Sequence, residues 1–238
     1  MSDSPRLRLS APVYHTRHYF QSDPVLATKI ISLVNDAFAR SKKLDPVKWG
    51  EDPHARFTDT DMYLDMLGPD GIVAVLFDED TRDRKVVATA AAIPWRGGWK
   101  KEGAGTEEGW EIKAVAVDGD SRYLRRGLAM QLYKFLEQSL IINSRCSGVS
   151  TTGRPFQQRD QLILWILAAE CINGVYWRKR GYELVRKEVH QAPTWGVLTS
   201  FEMVVLQKVV PFELSKSGSA VDSAIRSDAA TSIDVEVP

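Results

Sequence analysis

The part of the chain whose residue types and spacing most suggest a binding site runs from Glu111 to Leu132. Its apolar first half predicts a strand that ends at Val117, and after a polar loop Gly127 begins a helix. Backbone N–H groups at a helix start, together with the positive end of the helix dipole, attract anions such as phosphates. Glycine at 127 allows a phosphate to approach the backbone closely, and Ala129 keeps the first turn uncrowded.

Three arginines, Arg122, Arg125 and Arg126, lie in this polar loop. Guanidinium groups in such a loop would add positive charge for a pyrophosphate or a ribose phosphate. An arginine-rich loop is also a common kind of solvated surface, and the glycines of the usual dinucleotide-binding fingerprint are missing. The loop by itself therefore leaves both readings open.

Metal chemistry is not expected, because the histidines and cysteines are scattered without the spacing of a ligand set. These residues are His15, His18, His54, His190, Cys146 and Cys171. Glu111 lies six residues before the end of its strand, and by itself it is read as an exposed residue of that strand.

The composition excludes some classes of protein. The 238 residues carry 31 Lys and Arg against 31 Asp and Glu, so the formal net charge is zero. A balanced surface argues against a protein built mainly to bind nucleic acid or an anionic membrane. The first residues also lack the apolar core of a signal peptide. We expect a cytoplasmic protein, with a nuclear location as the alternative. The sequence makes no prediction of its oligomeric state.

The hydropathy pattern predicts a mixed α/β domain over residues 11–213, between a disordered N-terminus at 1–10 and a disordered tail at 214–238. The tail lacks aromatic residues and cannot bury enough apolar surface to offset its ordering entropy. The predicted strands are residues 13–20, 72–77, 86–95, 110–117, 162–169 and 197–206, and the predicted helices are 24–38, 61–67, 126–140 and 173–180. Residues 40–60 and 96–109 have no period and are predicted as irregular segments.

Two segments resemble the GCN5-related N-acetyltransferases. The sequence from Leu124 to Ala129 resembles the family's acetyl-coenzyme A signature, Arg/Gln-x-x-Gly-x-Gly/Ala, and departs from it at Leu124. Residues 173–182 resemble the family's late helix and its Tyr-x-x-x-Gly-Phe ending. Here Trp177 lies four residues before Gly181 and Tyr176 lies five before it, as in the histone-acetylating branch.

The resemblance implies a fold and a co-substrate. It implies an α/β fold with a mostly antiparallel, twisted sheet flanked by helices, in which the fourth and fifth strands splay apart to admit acetyl-coenzyme A. The coenzyme-binding residues that it implies are Val115, Ala116, Val117, Arg122, Leu124, Arg125, Arg126, Gly127, Leu128, Ala129, Asn173 and Tyr176.

The resemblance also implies catalytic roles. Glu111 stands where the histone-acetylating branch keeps its base, and it would act on the amine through a water. The N–H of Val115 would bind the thioester oxygen, and Tyr176 would donate a proton to sulfur. Tyr176 is equally well explained as a phenol packed on its helix, and Asn173 as a helix cap.

Three functions follow from these residues. The first is acetyl transfer from acetyl-coenzyme A to a primary amine of a small molecule. The second is acetylation of a protein lysine or N-terminus, which Glu111 and the spacing of Tyr176 suggest and which the balanced charge disfavours. The third is a catalytically inactive acyl-coenzyme A-binding module. The acceptor would be selected by residues 40–60 and 96–109, whose sequence does not identify it.

Overall fold

The computed structural model describes residues 7–50, 55–146 and 161–212, which form one seven-stranded sheet with helices on both faces. The strands are β1 Val13–Thr16, β2 Ile72–Asp78, β3 Lys85–Pro94, β4 Trp110–Val117, β5 Gln161–Ala169, β6 Glu183–Gln191 and β7 Ser200–Pro211. The helices are α1 Arg17–Ser22, α2 Pro24–Lys42, α3 Pro46–Trp49, α4 Thr60–Leu67, α5 Leu128–Cys146 and α6 Val175–Arg178. A π-helical turn, Glu170–Gly174, precedes α6, and a short 3-10 turn, Thr194–Gly196, lies between β6 and β7.

The sheet is antiparallel except at its centre, where β4 and β5 run parallel in the order β1-β2-β3-β4-β5-β7-β6. These two strands pair only at Trp110 with Leu164 and at Glu111 with Trp165. Beyond those pairs both strands continue but diverge. The fold class and the splayed fourth and fifth strands predicted from the sequence are therefore confirmed.

Each face of the sheet is covered because the helices present apolar side chains at helical spacing. On one face, α5 buries Leu132, Leu136 and Leu140 completely or nearly so. On the other face, α2 buries Ile30 and Val34 in a cluster that also includes residues of α4. Burying one such side chain contributes about 1.5–3 kcal/mol, so both helices are held firmly against the strands between them.

A β-bulge interrupts β4 at the point where it leaves β5. Lys113 pairs with Ala91 and Ala116 pairs with Thr89, so two residues of β4, Ala114 and Val115, lie opposite one residue of β3. Ala114 takes a left-handed φ of 48° to make the bulge. The bulge reverses the strict alternation of the strand, and Ala114 consequently packs on the face that carries α2 and α4.

Several boundaries differ from the sequence predictions. The first strand ends at Thr16, and α1 follows because it turns Phe20 fully into the core. The sequence did not predict β6, since it is an edge strand whose residues are mostly exposed and four of whose nine residues are charged. Residues 170–174 form a π-helical turn, so α6 is shorter than predicted.

Residues 8–10, which fall in the segment predicted as disordered, form backbone hydrogen bonds with the end of β2. Ser10 donates its backbone N–H to the carbonyl of Phe77 at 2.9 Å, and Glu79 donates to the carbonyl of Arg8 at 2.9 Å. These bonds extend the end of β2, which satisfies backbone groups that would otherwise be exposed at the sheet edge. The predicted disordered tail, 214–238, lies outside the described residues. Within the described ranges, no helix is both long and apolar enough to cross a membrane.

Candidate active site

A cleft of about 910 Å³ opens where β4 and β5 diverge. Its floor is formed by the two strands, and its other walls come from α2, the segment before α4, and the loop that follows β3. Residues 194–196, between β6 and β7, help to close it. The divergence of the strands therefore creates a cavity at the centre of the sheet, large enough for a small molecule.

Glu111 lies in this cleft at the last position where β4 pairs with β5, and only 3% of its surface is exposed. Lys113 is two residues further along, so both side chains project from the same face of the strand. The Lys113 Nζ lies 2.8 Å from Glu111 Oε1 and 2.9 Å from Oε2. Because a buried carboxylate is costly without a partner, this pairing explains how Glu111 is held inside the cleft.

Two further cations, Lys42 and Arg56, line the cleft. The sequence did not mark either as a functional residue, because both lie in residues 40–60, which were predicted as an irregular segment. Arg56 stands before α4, and Lys42 is the last residue of α2. Burial lowers the pKa of Arg56, and the charge of Glu111 partly offsets that effect. Burial also lowers the pKa of Lys42, and the neighbouring charge of Arg56 lowers it further.

The edge of β4 that faces β5 is unpaired beyond Glu111. Ala116 and Val117 pair with β3 on one side, but the structure gives them no pairing with β5 on the other. Val115 lies in the bulge and lines the cleft. The carbonyl of Val117 accepts a hydrogen bond from Arg40 Nη2 at 2.7 Å. The other backbone groups on this edge could pair with an extended ligand that enters between the strands, as an added strand would.

The loop after β4 has the geometry of an anion site. Arg125 and Gly127 both take left-handed conformations, with φ of 60° and 75°, just before α5 begins at Leu128. The N–H of Gln131 donates to the carbonyl of Gly127 at 2.9 Å, so the N–H groups before Gln131 have no partner within the helix. No heavy atom lies within 4 Å of the place a Gly127 Cβ would occupy. The backbone here is open to an approaching phosphate.

The arginines of the loop are not equivalent. Arg122 is held by Asp120, to which its Nε and Nη2 donate at 3.1 and 3.0 Å, and these bonds hold the pKa of Asp120 below its usual range. Arg125 and Arg126 are exposed, as is Leu124. The side chain of Leu128 is buried in the core, so only its backbone could meet a ligand.

The late helix brings two of its residues to the cleft. Asn173 and Trp177 line it, whereas Tyr176 is not among the lining residues. The guanidinium carbon of Arg180 lies 3.3 Å from the centre of the Tyr176 ring, and Arg180 Nη1 donates to the Tyr176 carbonyl at 2.7 Å. Tyr176 is thus packed on its own helix. Asn173 is not a cap, because α6 begins after Gly174 without a side-chain cap.

The residues predicted from the sequence are therefore only partly brought together. Glu111, Val115 and Asn173 share the cleft, and Gly127 opens the loop that follows β4. Trp177 stands in the cleft four residues before Gly181, a spacing that was visible in the sequence. Among the described residues, no group of His, Cys, Asp or Glu is placed to hold a metal ion.

Comparisons with known proteins support the fold. No family model matches the chain, and no curated protein matches it. A protein from Acinetobacter baylyi named as an acetyltransferase superposes with a TM-score of 0.52 and 12% identity, over 87% of this chain and 94% of that one.

Two other solved structures are similar at lower scores. NAA60 of Arabidopsis thaliana with a bisubstrate analogue matches at a TM-score of 0.49 and 11% identity, over 84% of this chain and 99% of that chain. The ribosomal-protein-S18-alanine N-acetyltransferase of Escherichia coli matches at 0.46 and 12% identity, over 86% and 97%. The sheet has a central parallel pair of strands that diverge, and the chain superposes on the Acinetobacter structure. We therefore conclude that this chain has the fold of the GCN5-related N-acetyltransferases.

Proposed function

We propose that this protein transfers an acetyl group from acetyl-coenzyme A to a primary amine of a small molecule. The observation that carries the proposal is the divergence of β4 and β5. Where the strands part, Glu111 and Val115 both line the cleft, and the edge of β4 continues from Val115 to Val117 without pairing to β5. The anion-binding loop begins where that edge ends.

The residues present fit acetyl-coenzyme A as a substrate. The free edge of Val115, Ala116 and Val117 suits the amide groups of a pantetheine arm, which would bond there like a strand. The loop at residues 125–127, with the exposed charges of Arg125 and Arg126, suits a pyrophosphate. We assign Arg122 a supporting role only, since Asp120 already occupies its guanidinium.

Glu111 is the proposed base. An alkylammonium with a pKa near ~10 is not nucleophilic at neutral pH, so its proton must be removed before it attacks the thioester. Glu111 is the one carboxylate among the described residues that line the cleft. Lys113 contacts both of its oxygens and thereby fixes the orientation of the carboxylate in the cleft, where it could accept a proton from an amine held directly or through one water.

Charge that develops on the thioester oxygen needs a donor, and the N–H of Val115 in the bulge is the proposed one. Because the structure does not bring Tyr176 to the cleft, we assign it no proton transfer. A thiolate leaves tolerably without an acid, since thiols have pKa values near ~8.5. Asn173, which lines the cleft, is proposed to hydrogen-bond the coenzyme.

A small acceptor is favoured over a protein side chain by the walls of the cleft. The loop at residues 96–101 and the turn at 194–196 both contribute to its lining, opposite the strands. A lysine on a folded protein would have to enter a cleft that both of these segments help to line. Acetylation of a protein lysine or N-terminus is therefore the less favoured candidate.

Replacing Glu111 by Gln tests the assignment of the base. Glu111→Gln keeps the shape of the side chain and removes its basicity, so turnover at neutral pH should fall by about 10²–10⁴. The affinity for acetyl-coenzyme A, measured by calorimetry, should stay within about twofold. Glu183→Gln, on the exposed side of β6, is the matched control and should leave both quantities unchanged.

An inactive acyl-coenzyme A-binding module is the alternative from another class. The pairing of Glu111 with Lys113 and the placement of Tyr176 outside the cleft favour it. Mass spectrometry of products from a mixed library of amines and peptides distinguishes the two functions. Acetylated amines would support the enzyme, whereas coenzyme binding without any acetylated product would support the module.

A further inference from the structure

The side chains that line the cleft carry a strong excess of positive charge. Its described lining includes one carboxylate, that of Glu111, and the cations Lys42, Arg56, Arg96, Lys101 and Lys113. The whole chain has a formal net charge of zero, so this excess is local. Only Lys113 contacts the carboxylate. Arg96 and Lys101 are exposed to solvent, whereas Lys42 is buried and Arg56 is partly buried, so these last two are the cations that a ligand in the cleft would best balance.

Arg56 is the first of these two cations, and the charge of Glu111 offsets only part of the effect of burial on its pKa. Within the described part of the chain it forms no ion pair with a carboxylate, and its buried Nε has no hydrogen-bond partner. Its guanidinium carbon lies 4.4 Å from the ring centre of Phe38 and 5.5 Å from that of Phe57. A buried donor without a partner is costly, and a guanidinium between aromatic rings presents a flat, fixed fork to a planar anion.

Lys42 adds a second buried cation beside Arg56. Its Nζ donates to the carbonyl of Trp195 at 2.5 Å and lies 5.1 Å from the ring centre of Trp49. These partners are neutral, so they satisfy a donor without cancelling the charge. Both cations also come from α2 and the segment before α4, which lie on the sheet face opposite α5. They are therefore separate from the phosphate loop, which leads into α5.

We propose that the acceptor amine carries a carboxylate, which binds at Arg56 and Lys42, and an apolar or aromatic body. Phe38, Phe57 and Trp195 line the same part of the cleft and would contact that body. Amino acids with apolar side chains are the chemical class that this combination fits. The inference rests on the proposed acetyl transfer and names the substrate class of the same site.

The placement of these charges also serves the reaction. A cation-rich pocket disfavours a further positive charge, so the ammonium group of a bound amino acid should lose its proton more readily there than in water. One proton would pass to Glu111, and the neutral amine nitrogen would attack the thioester carbonyl. As the C–S bond breaks, the second proton on the nitrogen would pass to the leaving sulfur, which gives the amide and coenzyme A as its thiol. The carboxylate offsets one of the two positive charges of Arg56 and Lys42, which lets the acceptor enter in spite of its own ammonium, and the remaining positive charge still favours loss of the ammonium proton.

Matched pairs of acceptors test the inference in the unmodified protein. L-Phenylalanine and phenethylamine differ by the carboxylate alone, as do L-tyrosine and tyramine. A charge-assisted pair of hydrogen bonds is worth about 1.5–3 kcal/mol, so kcat/KM should be about 10- to 100-fold higher for the amino acid of each pair. Equal or higher kcat/KM for the amines that lack the carboxylate would overturn the inference.

A variant then locates the carboxylate site. Arg56→Met keeps the length of the side chain and removes its charge, so the kcat/KM ratio of phenylalanine to phenethylamine should fall by about 10- to 100-fold. Arg82→Met, an exposed arginine outside the cleft, should leave the ratio unchanged. An unaltered ratio in Arg56→Met and in Lys42→Met would contradict the site.

Calorimetry with the two products separates failure of the inference from failure of the proposed function. N-acetyl-L-phenylalanine should bind about tenfold or more tightly than N-acetylphenethylamine. That preference without acetyl transfer to any amine would retain the carboxylate site and reject the enzyme. Acetyl transfer to phenethylamine without a preference for either product would retain the enzyme and reject the carboxylate site.

Discussion

At the scale of single residues, the cleft is defined by one carboxylate and the cations around it. The sequence singled out Glu111 because of its position in a family-like strand, but it gave no role to Lys113. Yet the two-residue spacing on one strand is what lets the Lys113 ammonium contact both oxygens of Glu111. Because burying an unpaired carboxylate is costly, the Lys113 ammonium is what allows Glu111 to be charged inside the cleft.

A substitution at Gly127 tests the proposed pyrophosphate-binding loop at residues 125–127. Gly127→Glu places a bulky anion where the loop is open and should abolish measurable binding of coenzyme A in calorimetry. Gly105→Glu is a closely matched control, because Gly105 has a φ of 77° and also has open space around it. Both variants carry the same backbone strain, and only the first should lose coenzyme.

Leu124→Gln complements that pair. It restores the residue that the family usually has, at an exposed position, and should change coenzyme affinity only slightly. Unchanged coenzyme affinity in Gly127→Glu would remove the loop from the binding site. An equal loss in Gly105→Glu would attribute the effect to backbone strain.

At the scale of elements, the buried strands were the predictable part of the sheet. β2, β3 and β5 are almost wholly buried, so their apolar runs were readable without knowledge of their neighbours. β6 escaped because an edge strand is free to be charged. The bulge in β4 could not be read either, since the left-handed Ala114 has no glycine to mark it.

The loop between β3 and β4 is anchored by an ion pair whose removal should destabilise the fold. Arg186 of β6 donates to both oxygens of Glu107, at 2.6 and 2.7 Å, and Trp95 Nε1 donates to Glu107 Oε2 at 2.9 Å. Glu107→Gln should therefore lower the free energy of unfolding by about 1–2 kcal/mol at pH 7 in urea titrations. Glu79→Gln, with a single ion-pair contact of 3.9 Å, should have almost no effect.

The pH dependence of that difference has a definite sign. The hydrogen bonds from Arg186 hold the pKa of Glu107 below its ordinary value of 4.5. The contribution of this ion pair to the free energy of unfolding is therefore complete above pH 4.5. It is lost as the pH falls toward the lower pKa that Glu107 has in the folded state. The gap between the wild-type protein and Glu107→Gln should accordingly narrow below about pH 4.5. A gap that widened with acid would contradict the ion pair.

At the scale of the whole molecule, the formal net charge is zero, yet the residues that line the cleft carry an excess of positive charge. Lys42, Arg56 and Lys113 come from separate segments, and only the fold brings them to one cavity. A sequence reading that sums charge along the chain could not detect them. The fold class was predictable from motifs, and the motifs also singled out Glu111, the proposed base, whereas the cations on the acceptor side of the cleft were not predicted.

The C-terminal tail provides a prediction for the intact chain. Residues 214–238 lack the aromatic and clustered apolar side chains that would dock them on the domain. Deleting them should leave the melting temperature within about 2 °C and turnover nearly unchanged. A large drop in melting temperature, measured by calorimetry, would show that the tail packs on the domain.

A crystal structure of the protein with acetyl-coenzyme A tests most directly whether the diverging strands form the coenzyme site. The pantetheine arm should lie between β4 and β5, bonded to the backbone of Val115 and Val117, with the thioester carbonyl at the N–H of Val115. The pyrophosphate should contact the backbone at residues 125–127, and Glu111 should face the acetyl group. Coenzyme bound elsewhere on the surface, or no bound coenzyme at saturating concentration, would contradict the proposed site.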